Sequence, residues 1–104
     1  PVVPQRPAIP RAMITTIVLI QAEPKSIPKT AAALAGIEGV TDVYSVSGEW
    51  DLIAIVKVAE YAQIAEIVTE KFPTVPGLVR TTTLTAFRAY SKADLEQAWD
   101  LGVD

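Results

Sequence analysis

The sequence from residue 46 to residue 51 reads Val46-Ser47-Gly48-Glu49-Trp50-Asp51 and joins two apolar segments, residues 40–46 and 52–58. Glycine tolerates a positive φ, so Gly48 suits a tight connection between two antiparallel strands. Asp51 places a carboxylate where the second strand begins. There it either caps the strand end or pairs with the ammonium group of a small zwitterion. The stretch therefore predicts a hairpin at the centre of the fold and leaves both roles of Asp51 open.

Residues upstream of the hairpin predict a strand followed by a helix. Residues 14–22 are rich in β-branched side chains, which favour a strand. Ser26 is a suitable helix N-cap, and Gly36 lies where a helix beginning there would end. Between them apolar residues recur at helical spacing, at Ile27, Ala31 and Leu34. This segment is predicted to pack one helical face against the sheet.

Residues downstream of the hairpin repeat the same order. Residues 51–59 are apolar at nearly every position, so both faces of this strand must be covered. Residues 61–72 predict a second helix, which Pro73 ends. Residues 78–89 predict the last strand. Ser91-Lys92-Ala93-Asp94 then resembles a capping box that begins a short terminal helix, with apolar residues at Leu95, Ala98 and Trp99.

The resulting order is β-α-β-β-α-β with an additional C-terminal helix. This order predicts an α+β, ferredoxin-like fold with a four-stranded antiparallel sheet. Both helices would cover one face of the sheet, and the other face would expose apolar side chains from its strands. Because that surface is too apolar for water, we expect it to pack against the sheet of a second subunit.

One domain, residues 13–104, accounts for these elements. Residues 1–12 contain prolines at positions 1, 4, 7 and 10 and show no helical or strand periodicity. We expect this segment to be a proline-rich leader, a linker or a vector remnant that contributes nothing to the fold.

The composition excludes several classes of function. The net charge is −3 and the sequence pI is about 4.9, with basic residues scattered rather than clustered. Direct nucleic-acid binding depends on neutralising phosphates, so this chain is a poor candidate for it. Cys and His are both absent, which removes thiol nucleophiles, disulfides and the commonest metal ligands. We therefore expect no catalytic residues, no metal site and no cofactor.

Neither a membrane anchor nor a signal peptide is indicated. The longest apolar run, residues 17–20, is far too short to span a bilayer. No charged segment followed by an apolar segment resembles a secretory signal. The expected location is the cytoplasm, with no membrane partner.

Four short motifs resemble the effector-binding domain of the Lrp/AsnC transcriptional regulators, also called the domain for regulation of amino acid metabolism (RAM domain). They are Ile-Glu-Gly-Val at residues 37–40, Ser-Gly-Glu-Trp-Asp-Leu at 47–52, Phe-Pro-Thr-Val-Pro-Gly-Leu-Val at 72–79 and three threonines at 81–83. Leu78 replaces the valine that follows Pro-Gly in the family. The resemblance covers residues 14–89, and the order and spacing of the motifs support it more than any single motif does.

The resemblance implies a non-catalytic sensor of a small-molecule effector, typically an amino acid. It also implies a homodimer formed through the sheets and a ring of dimers, commonly an octamer, with effectors bound between neighbouring dimers. Carried over to this chain, one wall of the binding cleft is residues 47–51, and threonines of a neighbouring subunit complete it. The ligand-binding residues so implied are Ser47, Gly48, Glu49, Trp50, Asp51, Thr81, Thr82 and Thr83.

Full regulators of this family carry a helix-turn-helix domain, which the twelve proline-rich residues cannot supply. The chain therefore resembles a stand-alone effector domain. Regulation of transcription would then require assembly with partners, such as full-length Lrp/AsnC relatives.

Three alternatives remain open from the sequence. A dimeric ferredoxin-like enzyme, of the cofactor-independent oxygenase or isomerase type, would use Glu49, Asp51, Glu66 and Tyr44. A ring-forming scaffold would dock its terminal helix on a neighbour. An ACT-type amino-acid-binding domain has the same element order, but its glycine-containing loop after the first strand is not found in Gln21-Ala22-Glu23-Pro24.

Overall fold

The computed structural model describes residues 13–90 and residue 92 of the 104-residue chain. The leader over residues 1–12 and the terminal helix, of which only Lys92 is described, lie outside the described residues. The elements are β1 (Ile14–Ala22), α1 (Ile27–Ala35), β2 (Val40–Ser45), β3 (Leu52–Val58), α2 (Tyr61–Glu66) and β4 (Leu78–Thr85).

The four strands form one antiparallel sheet in the order β2-β3-β1-β4. The two middle strands are β1 and β3, whose residues pair from Ile14 opposite Val58 to Ile20 opposite Leu52. Together with the element order, this arrangement confirms the predicted α+β ferredoxin-like fold.

The core lies between the helices and one face of the sheet. Every second residue of the two middle strands is buried there, namely Thr16, Val18, Ile20 and Ala22 in β1 and Leu52, Ala54, Val56 and Val58 in β3. Leu34 of α1 and Ile64 of α2 belong to the same apolar cluster, followed by Ile67 and Phe72. The helical spacing that predicted Leu34 on the packed face of α1 is therefore confirmed.

The opposite face of the sheet, which we call the open face, has no helix over it among the described residues. Paired residues of antiparallel strands share a face, so the register identifies its members. The two middle strands contribute four half-buried aliphatic residues, Ile17, Leu19, Ile53 and Ile55. Tyr44 of β2 and Leu84 of β4 extend the apolar surface and are 54% and 47% exposed. The predicted apolar face is present, with an aromatic residue on its β2 edge.

The first helix begins differently from the prediction. The Ser26 side chain makes no capping hydrogen bond. A 3₁₀ turn, Pro24–Ser26, leads directly into α1, so the chain is already helical before the predicted cap. The capping box that the sequence analysis missed is at α2, where Glu60 and Gln63 each accept a hydrogen bond from the backbone of the other.

The second helix is not α-helical over the whole predicted range. After Glu66 the chain continues as a π-helical turn, Ile67–Lys71, and then as a 3₁₀ turn, Phe72–Thr74. The N–H of Phe72 donates to the carbonyl of Ile67, five residues earlier. The wider turn places both side chains over the sheet, whereas an α-helix would direct them to different sides.

The last strand ends at Thr85 rather than at residue 89. Thr85 pairs with Thr16, and the N–H of Ala86 still donates to the carbonyl of Thr15 at 2.9 Å. Because β1 begins at Ile14, which the register places opposite Phe87, residues beyond Phe87 have no strand residue of β1 opposite them.

Candidate functional site

The loop over residues 47–51 connects β2 to β3 at one end of the sheet. Gly48 has φ +108, as the hairpin prediction required, and a Cβ at this position would have no heavy atom within 4 Å. The glycine is therefore needed for its backbone conformation and not for space. The N–H of Val46 donates to the carbonyl of Asp51 at 3.0 Å and closes the loop.

Asp51 is held against the end of β1. Its N–H donates to the carbonyl of Ile20 at 2.9 Å, and its Oδ2 accepts a hydrogen bond from the N–H of Ala22 at 2.8 Å. Because the ladder between the middle strands ends at Leu52, the Ala22 amide has no strand partner on that side, and the carboxylate takes the partner's place. Asp51 thus caps the strand end, which is one of its two predicted roles. Its Oδ1 has no hydrogen bond from the described residues.

Two residues that the sequence analysis missed fasten this loop to the open face. The Gln21 side-chain amide donates to the carbonyl of Glu49 at 3.2 Å. The guanidinium of Arg80 lies 4.9 Å from the centroid of the Trp50 ring, and its Nη2 is 3.8 Å from Oε1 of Glu49. Gln21 and Arg80 are partners in the β1–β4 register, which brings both under the loop.

These contacts are weak individually. The side chains of Arg80 and Glu49 are 57% and 72% exposed, so water screens their ion pair, and such pairs contribute about 0–1 kcal/mol. A surface cation–π contact contributes about 0.5–1 kcal/mol. The guanidinium can therefore exchange Glu49 for another carboxylate at little cost in stability.

The three threonines of β4 do not share a face of the sheet. Thr81 pairs with Ile20 and Thr83 with Val18, so both project on the side of the helices. Thr82 pairs with Leu19 and projects on the open face. Thr81 is the nearest of the three to the loop in the register, because Ile20 also accepts the hydrogen bond from Asp51. Within one protomer, Thr82 therefore shares the open face with Gln21 and Arg80, which contact the loop, whereas Thr81 is nearer in register but lies on the opposite face.

At the loop end residues 47–49 are exposed, and Trp50 and Asp51 are half-buried. A cleft of about 350 Å³ is lined by Met13, Phe87 and neighbouring residues at the other end of the open face. A larger cleft, of about 700 Å³, lies between the turn over residues 36–39, the end of β3 and helical residues 63–71; we call it the turn-end cleft. None of the predicted ligand-binding residues lines either cleft.

The four residues of the enzyme alternative do not converge in the protomer. Glu66 lines the turn-end cleft, Tyr44 lies on the open face, and Glu49 and Asp51 are in the loop. Among residues 13–90 and 92, no three Asp or Glu side chains are grouped closely enough to hold a metal ion. Within that same part of the chain, neither helix has the length and apolar character needed to cross a membrane.

Comparison of this chain with models of known protein families identifies the family to which it belongs. The family model of the Lrp/AsnC ligand binding domain matches residues 15–95, which contain both helices and the whole sheet except Ile14. The chain belongs to the Lrp/AsnC family. The matched part is the ligand-binding domain of these proteins, as the resemblance in the sequence implied.

Similar proteins agree with this assignment. An uncharacterised HTH-type transcriptional regulator of Pyrococcus furiosus is 36% identical over 76 residues, covering 70% of this chain and 51% of the relative. This chain thus spans about half the length of the curated relatives it matches. The crystal structure of TTHA0845 from Thermus thermophilus is 38% identical, with a TM-score of 0.72, covering 77% of this chain and 100% of that one.

A more distant neighbour shows the fold alone. The transcriptional regulator NMB0573 from Neisseria meningitidis, solved as an L-Met complex, is 10% identical with a TM-score of 0.68. The match covers 75% of this chain and 52% of that one.

Proposed function

We propose that this Lrp/AsnC ligand-binding domain is a non-catalytic sensor that binds an amino acid at the loop over residues 47–51. The observation that carries the proposal is the presence of one basic and one acidic side chain next to Trp50. Arg80 lies over the ring, and Asp51, the next residue along the chain, has a carboxylate oxygen that the described residues leave without a hydrogen bond. A zwitterion needs such a pair of partners.

Each group of the ligand has a partner in this arrangement. The ammonium group pairs with Asp51, whose position is fixed by the Ala22 amide. The carboxylate pairs with Arg80, in exchange for Glu49, and with backbone N–H groups near Gly48. Trp50 offers an apolar surface to the ligand side chain. Ser47 and Thr81 remain predicted contacts of the same site, as do Thr82 and Thr83 if they belong to a neighbouring subunit.

The site is completed by assembly in this proposal. The open face carries apolar side chains from all four strands, and a second copy packing on it forms the dimer. The loop is exposed in one protomer, so a neighbouring dimer encloses the ligand, and a ring of dimers, an octamer, repeats the contact. A ligand that binds only between dimers stabilises the assembled form, which couples its concentration to oligomeric state.

Regulation of transcription follows through partners. The Pyrococcus furiosus relative is an HTH-type regulator of about twice the matched length, and assembly with such full-length relatives would bring this domain to DNA without contacts of its own. The location of the protein in the cytoplasm stays a prediction.

Calorimetric titration with the twenty amino acids tests the proposal. Asp51→Asn keeps an oxygen acceptor for the Ala22 amide and removes the charge, so it should weaken binding about tenfold or more without unfolding the domain. Arg80→Gln should weaken binding by a similar factor. Glu23→Gln and Arg88→Gln change exposed charges outside the loop and should leave the affinity unchanged.

Two results would contradict the proposal. One is the lack of binding by any amino acid at millimolar concentration. The other is binding that survives the Asp51 and Arg80 substitutions unaltered. An intact ring that ignores every amino acid would favour the scaffold alternative instead.

A further inference from the structure

The turn-end cleft lies at the end of the sheet opposite the loop over residues 47–51. Its walls come from three separate parts of the chain, and its volume of about 700 Å³ falls in the range of small-molecule sites, about 300–1,000 Å³. None of its residues takes part in the proposed function described above.

The floor of the cleft is apolar and tightly packed. Val58 and Ile67 are 5% and 6% exposed, and Ile37 packs against the same cluster. Gly39 has φ +99, and a Cβ at this position would lie 2.7 Å from Cδ1 of Ile67. The turn therefore approaches the helix as closely as a residue without a side chain allows, and the floor is preformed.

The helical wall directs four side chains into the cleft, those of Gln63, Glu66, Ile67 and Lys71. The π-helical turn, Ile67–Lys71, rotates the chain by a smaller angle per residue than an α-helix, so Lys71 stays on the face that carries Gln63. Such turns occur frequently at functional sites. Here the π-helical turn packs Ile67 against the core and also places Lys71 along the cleft.

Gln63 supplies an oriented hydrogen-bond donor. Its Oε1 accepts hydrogen bonds from the N–H groups of Ala59, at 3.1 Å, and Glu60, at 2.9 Å. These two bonds fix which end of the amide is the oxygen, and Nε2 has no hydrogen-bond partner among the described residues. A ligand carboxylate in the cleft would meet a donor that is already in place.

Charges of both signs surround the floor. Lys57 and Lys71 are ammonium groups, and Glu38 and Glu66 are carboxylates. In the described part of the chain the single ion pair is Arg80 with Glu49, so none of these four is paired there. A ligand with only negative charge would meet two carboxylates, and one with only positive charge two ammonium groups. The arrangement favours a ligand that carries both.

We infer that the turn-end cleft is a second binding site, selective for a small zwitterion with an apolar side chain. The ligand carboxylate meets the lysines and the Gln63 amide, its ammonium group meets Glu38 or Glu66, and its side chain lies on Ile37 and Ile67. This site is independent of the loop end, because the two share no residue.

Methyl NMR with L-leucine as the probe tests the inference. The δ1 methyl groups of Ile37 and Ile67 report on the cleft, and the Trp50 indole N–H reports on the loop end in the same spectra. L-Leucine should shift both isoleucine signals in a saturable way. 4-Methylpentanoate, which lacks the ammonium group, and 3-methylbutylamine, which lacks the carboxylate, should bind there at least about tenfold more weakly.

Matched variants separate the cleft from the rest of the surface. Glu66→Gln and Lys71→Gln should each weaken leucine binding at Ile37 and Ile67 about tenfold and leave the Trp50 response unchanged. Glu70→Gln and Lys29→Gln, exposed charges outside the cleft, should change neither.

The inference is overturned if millimolar L-leucine leaves both isoleucine signals unshifted, if the two analogues bind as well as leucine, or if the control variants weaken binding as much as the cleft variants. A missing Trp50 response with shifted isoleucine signals would leave this inference standing and show that leucine is not a ligand of the loop end. A Trp50 response without shifted isoleucine signals would overturn this inference and leave the proposed function standing.

Discussion

The two ends of the sheet both depend on a glycine with a positive φ, but for different physical reasons. At the loop end, a Cβ on Gly48 would have open space around it; at the turn end, a Cβ on Gly39 would lie 2.7 Å from Ile67. The first glycine permits a backbone conformation, and the second permits close packing. The same residue type therefore marks an exchangeable surface at one end and a rigid floor at the other.

The contacts around each glycine follow the same division. The loop over residues 47–51 is fastened by Gln21, Arg80 and the Asp51 carboxylate, all through polar groups that a ligand or water can replace. The turn over residues 36–39 rests on buried aliphatic side chains. We expect changes of assembly to alter the contacts at the loop end, while the packing beneath the turn over residues 36–39 stays the same.

The largest difference is expected between Gly39→Ala and Gly48→Ala. Both substitutions place a side chain at positive φ, which costs about 1–2 kcal/mol. Only Gly39→Ala adds a clash with the core, for a total loss of about 2–5 kcal/mol. Urea denaturation at one fixed protomer concentration measures both free energies of unfolding. Equal losses would show that packing at the turn end is no tighter than at the loop end.

A smaller loss of stability is expected when a buried hydrogen bond on the helix side of the loop end is removed. Thr30 and Thr16 are both fully buried, but Oγ1 of Thr30 donates to the carbonyl of Pro76 at 2.7 Å, whereas Oγ1 of Thr16 has no partner among the described residues. Thr30→Val should lower the free energy of unfolding by about 1–3 kcal/mol, because it leaves the Pro76 carbonyl unpaired.

Thr16→Val is its matched control and should raise the free energy of unfolding by about 1 kcal/mol, because it removes a buried hydroxyl without a hydrogen bond. The same denaturation experiment measures it. Destabilisation by Thr16→Val as large as that by Thr30→Val would contradict this account of the two hydroxyls.

The smallest effect on stability is expected for Arg80→Gln. The ion pair and the cation–π contact are exposed, so their loss should cost about 1 kcal/mol or less, and less still in 1 M salt. The Trp50 emission should nevertheless change, since the guanidinium leaves the ring, whereas Arg88→Gln should not affect it. A loss of several kcal/mol would mean that the loop is part of the core and not an exchangeable surface.

The sequence predicted the elements whose evidence is local. Helical spacing identified Leu34 as a buried residue, because burial on one face of a helix leaves apolar residues at a regular spacing. For β1 and β3 the composition predicted the strands but not which residues are buried, since both strands carry apolar residues on both faces. The hairpin glycine was also predictable, since few residues adopt positive φ. These features do not depend on which strand lies beside which.

What could not be predicted depends on register and on packing between elements. Arg80 reaches the loop because it pairs with Gln21 across β1 and β4, and a single sequence does not give that register. The π-helical turn arises because Ile67 and Phe72 both pack over the sheet, although an α-helix would separate them. The threonines are different: strand alternation alone indicates that Thr82 faces away from Thr81 and Thr83, and that signal was available in the sequence.

The most direct test of the central claim is the mass of the assembly by size exclusion with multi-angle light scattering. Wild-type protein and Asp51→Asn are compared with and without a pool of amino acids. The account predicts that the pool enlarges or stabilises the wild-type assembly, while Asp51→Asn has the same mass without the pool and does not respond to it. A simple dimer at every condition, identical for both proteins, would contradict it.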